Sequence, residues 1–437
     1  MMNLSALRKS VIDSELVKRS GKVTQIYGLT LESNGPDAFL GELCVIQGQN
    51  GKTVNAEVVA LKNGRVYLMP YSDLAGIYLG SDVRATGRPV TVRVGDGLLG
   101  RVINAFGEPL DAKPLNKICE EYPLHAAPMN PLRRARISQI METGVKTIDA
   151  LLTLGKGQRI GIFAGSGVGK STLLGMTARH MHADVNVIAL VGERGREVKE
   201  FIEKSLGADG LAKSVVVVAT SDETALTRVH AALSATAIAE YFRDQGKDVM
   251  LLMDSVTRYA MALREIGLAV GEPPTARGYT PSVFSALPKL TERCGCVDSG
   301  GSITAIYTVL VEGDDLNDPI ADGLRAILDG HFVLTRELAN QGQFPALDIL
   351  QSNSRLINDL VAKDERVSVV EFKRIMSLYN GSKDMIELGA YRHGTNPDLD
   401  HAMKIVPDMK RFMSQDINES ASRSSAMQKI REIINER

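Results

Sequence analysis

Cysteine is scarce in this chain. Cys44, Cys119, Cys294 and Cys296 are its four, and no two form a C-x-x-C pair. Neither a disulfide framework nor a cysteine-ligated zinc site is expected, so these should be reduced, buried thiols. An excess of positive charge is also missing: 51 basic residues face 52 acidic ones among 437. With no basic tract to follow a phosphodiester backbone, no nucleic-acid partner is expected. No apolar run reaches membrane-spanning length and the first residues lack a signal-peptide core, so the expectation is a chain made and kept in the cytoplasm. The seven histidines are scattered. His180 and His182, two apart on a helix, face different ways and read as structural or surface residues. No internal repeat and no low-complexity segment is present. The length points to two to four domains.

What is present centres on Ala164-Gly165-Ser166-Gly167-Val168-Gly169-Lys170-Ser171-Thr172. The run Gln158–Phe163 before it reads as a buried strand, and Leu173–Arg179 after it as a helix. Strand, glycine-rich turn and helix make the context of a phosphate-binding P-loop. Glycines let successive N–H groups converge on an anion, and the helix adds its positive end. Lys170 would reach the β- and γ-phosphates, and the Ser171 hydroxyl would help hold Mg²⁺. Ala164 takes the first slot of G-x-x-x-x-G-K-[ST], where a small residue is tolerated.

Around this centre the pattern changes three times. In residues 1–20, Leu4, Leu7 and Val11 fall at helical spacing among Arg8, Lys9, Lys18 and Arg19. This amphipathic helix is expected either to fold back on its own domain or to serve as a docking segment for a partner or an acidic membrane surface. Over 21–94, short alternating runs (23–27, 42–46, 54–59, 65–69) separated by Gly and Asn turns suggest a small β-barrel. Over 95–347, candidate strands at 158–163, 185–191, 214–219, 248–253 and 303–310 alternate with helical patterns, the signature of a parallel sheet with helices on both faces. From Asp348 to the end the chain reads as helical, with Leu356, Leu360, Phe372, Ile375 and Met376 in phase.

Ligands of open α/β sheets sit at the carboxyl ends of strands. The apolar run 249–253 ends in Asp254, a Walker B arrangement whose carboxylate would orient the Mg²⁺ shell. Glu193 follows strand 185–191 and is the candidate for positioning the attacking water; alternatively it pairs with Arg194 or Arg196. Arg194 and Arg258 are candidate γ-phosphate ligands, or ion-pair partners of Glu197 and Asp254.

Together these residues resemble the catalytic subunits of the rotary ATP synthase superfamily, and within it the flagellar protein-export ATPases. The likeness extends over roughly residues 20 to 410. It includes Ala150–Arg159 (Ala-Leu-Leu-Thr-Leu-Gly-Lys-Gly-Gln-Arg), Gly271–Phe284, Val311–Asp322, Leu328–His331, Glu387–Tyr391 and Asn396–Asp400. The resemblance implies an α/β fold: a RecA-like P-loop core with a parallel sheet, preceded by a small N-terminal β-barrel and followed by a helical C-terminal domain. It implies a homo-hexamer with ATP held between neighbours. Arg355 matches an arginine finger reaching into the adjacent subunit, Phe344 an aromatic that stacks on adenine, and Tyr391 a second aromatic at the base. Implied partners are a stator-like export regulator on the N-terminal helix, a central stalk protein in the ring pore, export gate membrane proteins at the inner face of the cell membrane, and chaperone–substrate complexes. An injectisome type III secretion ATPase shares nearly all this chemistry. Pro281–Pro288 and the short C-terminal domain argue against a rotary ATP synthase catalytic subunit. The balanced charge argues against a ring-shaped nucleic-acid translocase, and Glu193 against a non-catalytic ring subunit.

Overall fold

A computed structural model describes residues 19–435 except 119, 312 and 314. The helix expected over 1–20 therefore lies outside the described residues apart from Arg19 and Ser20, and Ser20 already opens a strand. Cys119 also falls outside them; Cys44, Cys294 and Cys296 are free thiols.

The first domain is a closed barrel of β1 (Ser20–Tyr27), β2 (Thr30–Ser33), β3 (Glu42–Gln47), β4 (Thr53–Lys62), β5 (Arg65–Pro70) and β6 (Asp82–Pro89), ordered β1-β2-β5-β4-β3-β6. Alternation drives it: Val23, Leu31, Ile46, Val58, Leu68 and Val83 fill the interior while their neighbours face out. Asn63 and Gly64, both left-handed, turn β4 into β5, as a two-residue hairpin requires. The four alternating runs noted above became β1, β3, β4 and β5. The barrel closes at Pro89, before residue 94: β7 (Thr91–Val94) leaves it to pair with β9 (Glu120–Pro123), and β8 (Arg101–Asn104) joins the next sheet.

That sheet holds the remaining strands: β10 (Arg159–Ala164), β11 (Val185–Glu193), β12 (Ser214–Thr220), β13 (Asp248–Asp254), β14 (Gly295–Cys296), β15 (Ser302–Leu310), β16 (Gly330–Leu334) and β17 (Leu347–Ser354). Its order is β17-β16-β10-β15-β13-β11-β12-β8, with β14 pairing on β15. The pairs from β16 to β8 are parallel, and β17 is antiparallel to β16. Each central strand is apolar on both sides, so alternate residues feed two cores. Val187, Ala189 and Val191 face a cluster with α2 (Ala225–Asp244) and α3 (Val256–Ala269); Ile188 and Leu190 face one with α1 (Lys170–His180).

The helical stretch expected from Asp348 starts later. Residues 348–354 belong to β17, an edge strand whose polar outward positions (Asp348, Gln351, Asn353) hide its period of two. The long helices α4 (Lys363–Glu387), α5 (Pro397–Met413) and α6 (Arg423–Asn435) then pack around Phe372, Ile405, Met409 and Ile430. Gln415, just past α5, joins this bundle to the nucleotide-binding domain. Its side chain donates to Gly144 O (2.7 Å) and accepts from Lys146 N (2.8 Å), and its backbone N–H donates to Phe344 O (2.8 Å). No helix among the described residues is long and apolar enough to cross a membrane.

Candidate active site

At the carboxyl edge of the sheet, β10 runs into the glycine-rich turn, and α1 begins at Lys170. Gly167 and Gly169 take φ of +79° and +88°, a left-handed backbone that an ordinary side chain would strain. The turn opens on a cleft of about 910 Å³. Because Lys170 stands in the first turn of α1, its ammonium reaches back over the sheet edge. There it bonds Oδ1 of Asp254 and lies 3.5 Å from Oε1 of Glu193.

The sheet register brings these two carboxylates together. Leu190 of β11 pairs with Asp254 of β13, so both strands end at the same edge. Thr308 of β15 donates its hydroxyl to Oδ1 of Asp254 (2.8 Å), holding that carboxylate in one orientation. Burial first, then the charge of Asp254, pushes the Glu193 carboxyl up to about 7, against the pull of Lys170. Glu193 meets Lys170 rather than either neighbouring arginine, which pair instead with Glu197 and Glu200.

Of the residues expected to contact nucleotide, Gly165, Ser166, Gly167, Gly169, Ser171, Thr172, Arg194 and Arg258 line the cleft with Lys170 and Glu193. Val168 is buried beneath the turn. Arg194 is exposed and sits 3.2 Å from Glu197, the ion pair that was its alternative. Arg258 does not take the corresponding alternative, since Asp254 pairs with Lys170. Its aliphatic stem crosses Gly192, where a Cβ would stand 3.0 Å from it, and its buried Nε has no partner among the described residues. Phe344 is half-exposed beside the P-loop, its ring 3.5 Å from where a Cβ of Gly169 would stand.

Asp254, Phe344, Tyr391 and Arg355, like Val168, are not among the residues that line this cleft. Tyr391 packs its ring against the helical cluster and bonds its hydroxyl to Asp400 (2.9 Å) and Asn396 O (3.0 Å). None of these contacts, among the described residues, is with the P-loop cleft. Arg355 follows β17, exposed, with its guanidinium on Arg325 O (2.9 Å) and no carboxylate partner among the described residues. It forms no helix-start salt bridge among the described residues.

The sequence reading passed over four residues here. Arg336 donates to Ser166 O in the P-loop (3.2 Å), and Arg264 and Arg277 line the cleft. Arg277 is held by Asp315 and Asp318 at 2.7 Å each. Thr308 is the fourth. A threonine inside the apolar run 303–310 must find a buried acceptor, and that was the available signal. The cleft thus presents several guanidiniums and one ammonium to a polyanion. The Ser171 hydroxyl and the carboxylates of Asp254 and Glu193 form an all-oxygen donor set suited to a hard divalent cation.

Three family descriptions match the chain. Residues 23–87 match the ATP synthase alpha/beta family beta-barrel domain, 144–354 that family's nucleotide-binding domain, and 361–432 the T3SS EscN ATPase C-terminal domain. The flagellum-specific ATP synthase of Bacillus subtilis (strain 168) is 55% identical over 419 residues, covering 94% of this chain and 95% of its own. The type 3 secretion system ATPase of Xanthomonas euvesicatoria is 47% identical over 421 residues, covering 95% of each. A solved structure of the assembled ATPase EscN with its central stalk EscO, from the enteropathogenic E. coli type III secretion system, superposes with a TM-score of 0.87. It is 45% identical and covers 95% of this chain and 100% of its own.

Proposed function

This chain belongs to the ATP synthase alpha/beta family, among its flagellar and type III secretion ATPases, and from that premise we propose that it hydrolyses Mg²⁺-ATP at the subunit interfaces of a homo-hexameric ring to energise export of flagellar proteins. The observation that carries this reading is the Lys170 ammonium gathered with Asp254 and Glu193 beside the P-loop. The P-loop amides and Lys170 bind the phosphate chain, with Arg258 available to the γ-phosphate. Ser171 and Asp254 hold Mg²⁺, which neutralises charge on the transferring phosphoryl group. Glu193 orients water in line with that group. Phe344 covers the adenine. Arg355, exposed and free of carboxylate partners among the described residues, lends its charge to the neighbouring subunit's site.

The same reading puts the protein in the cytoplasm, at the inner face of the membrane, where hydrolysis releases chaperones and unfolds cargo. A central stalk in the pore is supported by the EscN–EscO assembly. Residues 1–20 dock a stator-like regulator; deleting them should abolish its binding and leave hydrolysis intact. The export gate and chaperone–substrate complexes complete the partners. The identity to the flagellar relative favours the flagellar over the injectisome branch. The direct test is steady-state hydrolysis at protein concentrations that give rings, with and without Mg²⁺. Rings that cleave no ATP with Mg²⁺ supplied would refute the reading.

A further inference from the structure

The scattered histidines are not all isolated in the fold. Glu57 on β4, His125 after β9 and His230 on α2 come from the barrel, the connecting segment and the nucleotide-binding domain, yet their ligand atoms all lie within 4.8 Å of one another. His230 is fully buried and Glu57 nearly so, while the side chain of His125 is half exposed. His125 Nε2 is 3.3 Å from Oε1 of Glu57, and His230 Nε2 is 2.6 Å from Oε2.

The second approach is a close ion-pair contact. In it His230 Nε2 is poorly aligned on the carboxylate, and Nδ1 has no hydrogen-bond partner among the described residues. Leaving a buried ring nitrogen unpaired costs about 1–3 kcal/mol. Two imidazoles and a carboxylate from three separate elements thus converge on one spot, close enough to share a common third atom. The surroundings suit such an atom. Tyr71 donates its hydroxyl to Oε2 of Glu57 (3.2 Å), and the rings of Tyr71 and Phe106 wall the site at 5.1 and 5.7 Å from the His230 ring. Gly41 leaves room beside both Glu57 and His125, where a Cβ would stand 3.9 and 3.8 Å away. The exposed edge of His125 supplies an entry path.

We propose that Glu57, His125 and His230 form a binding site for one divalent transition-metal ion of zinc-like preference, at the junction between barrel and nucleotide-binding domain. Two imidazoles and a carboxylate are a borderline donor set that Zn²⁺ takes in tetrahedral geometry, with water in the remaining position. Mg²⁺, which demands oxygen ligands, is not its occupant. The ion would clamp β4 to α2 and fix how the barrel sits on the ATPase core.

The test uses the full-length chain without nucleotide, in excess Mg²⁺ so that oxygen sites are occupied. Zn²⁺ is added, free metal is removed by gel filtration, and bound Zn²⁺ is counted by elemental analysis. Thermal unfolding and the visible spectrum of the Co²⁺-loaded protein are recorded alongside. One retained ion per chain is expected, with a raised melting temperature and the strong absorption of tetrahedral Co²⁺. His125→Ala, at a half-exposed position, should keep the fold, weaken Zn²⁺ binding by ~10-fold or more and remove the thermal shift. Glu57→Gln should do likewise. No stoichiometric Zn²⁺ at micromolar concentrations overturns the site. Equal Zn²⁺ in the wild type and both variants also overturns it, by placing the ion elsewhere.

Discussion

Replacing Arg355 by alanine should separate folding from chemistry. The side chain is exposed, and beyond the backbone it holds one bond, to Arg325 O at 2.9 Å. Its loss should therefore change stability by no more than about 0.5 kcal/mol. An arginine supplied to a neighbouring phosphoryl-transfer site is worth roughly 10³–10⁵ in rate, or about 4–7 kcal/mol of barrier. Arg355→Ala should thus bind a fluorescent ATP analogue and unfold as the wild type does, yet hydrolyse Mg²⁺-ATP at least a thousand-fold more slowly. The decisive assay mixes it with Lys170→Ala. A working interface needs an intact Lys170 on one subunit and an intact Arg355 on the next, which random assembly supplies at roughly one interface in four. Mixed rings should recover about that share of wild-type activity, though each variant alone is nearly inert. A mixture no more active than its separate parts would refute supply in trans. A wild-type rate for Arg355→Ala would remove the finger altogether.

Glu193→Gln should lower hydrolysis by ~10²–10⁴-fold with ATP binding preserved, since it removes a water-orienting carboxylate and leaves the P-loop intact; a normal rate would discard that role. Thr308→Val deletes the hydroxyl that steadies Asp254. About ten-fold more Mg²⁺ should then be needed for half-maximal rate, and an unchanged Mg²⁺ dependence would count against it. Arg293 and Glu240 form a buried pair, joined by two bonds of 2.9 and 2.5 Å, under the sheet. Arg293→Met should cost about 3–5 kcal/mol in urea unfolding by stranding the Glu240 charge, and Arg293→Met with Glu240→Leu should regain much of it. A single variant as stable as the wild type would contradict this.

How far the sequence foretold these features depended on how local each signal was. Five strands of the parallel sheet (β10, β11, β12, β13 and β15) announced themselves as apolar runs because they are buried on both faces. The P-loop was legible because phosphate binding needs its glycines at fixed offsets along one stretch of chain. By contrast, β17 carries polar residues on an edge, and β2 and β6 are short or charge-rich, so none shows a clean period. The partners of Lys170 were foreseeable only through topology, since Glu193 and Asp254 meet by sheet register and not by spacing. The Glu57, His125 and His230 cluster was beyond reach for the same reason. Its members lie on separate elements, and nothing in their flanking residues distinguishes them from solitary side chains.

Gln415 gives the molecule a mechanical property. Through it the helical bundle grips the chain on both sides of the fold: at Gly144 and Lys146, ahead of β10, and at the carbonyl of Phe344, beside the P-loop. A load that tilts those helices must drag or release the aromatic next to the P-loop. Under the proposed function, movement of the helical bundle would then be felt beside the nucleotide through one residue, Gln415.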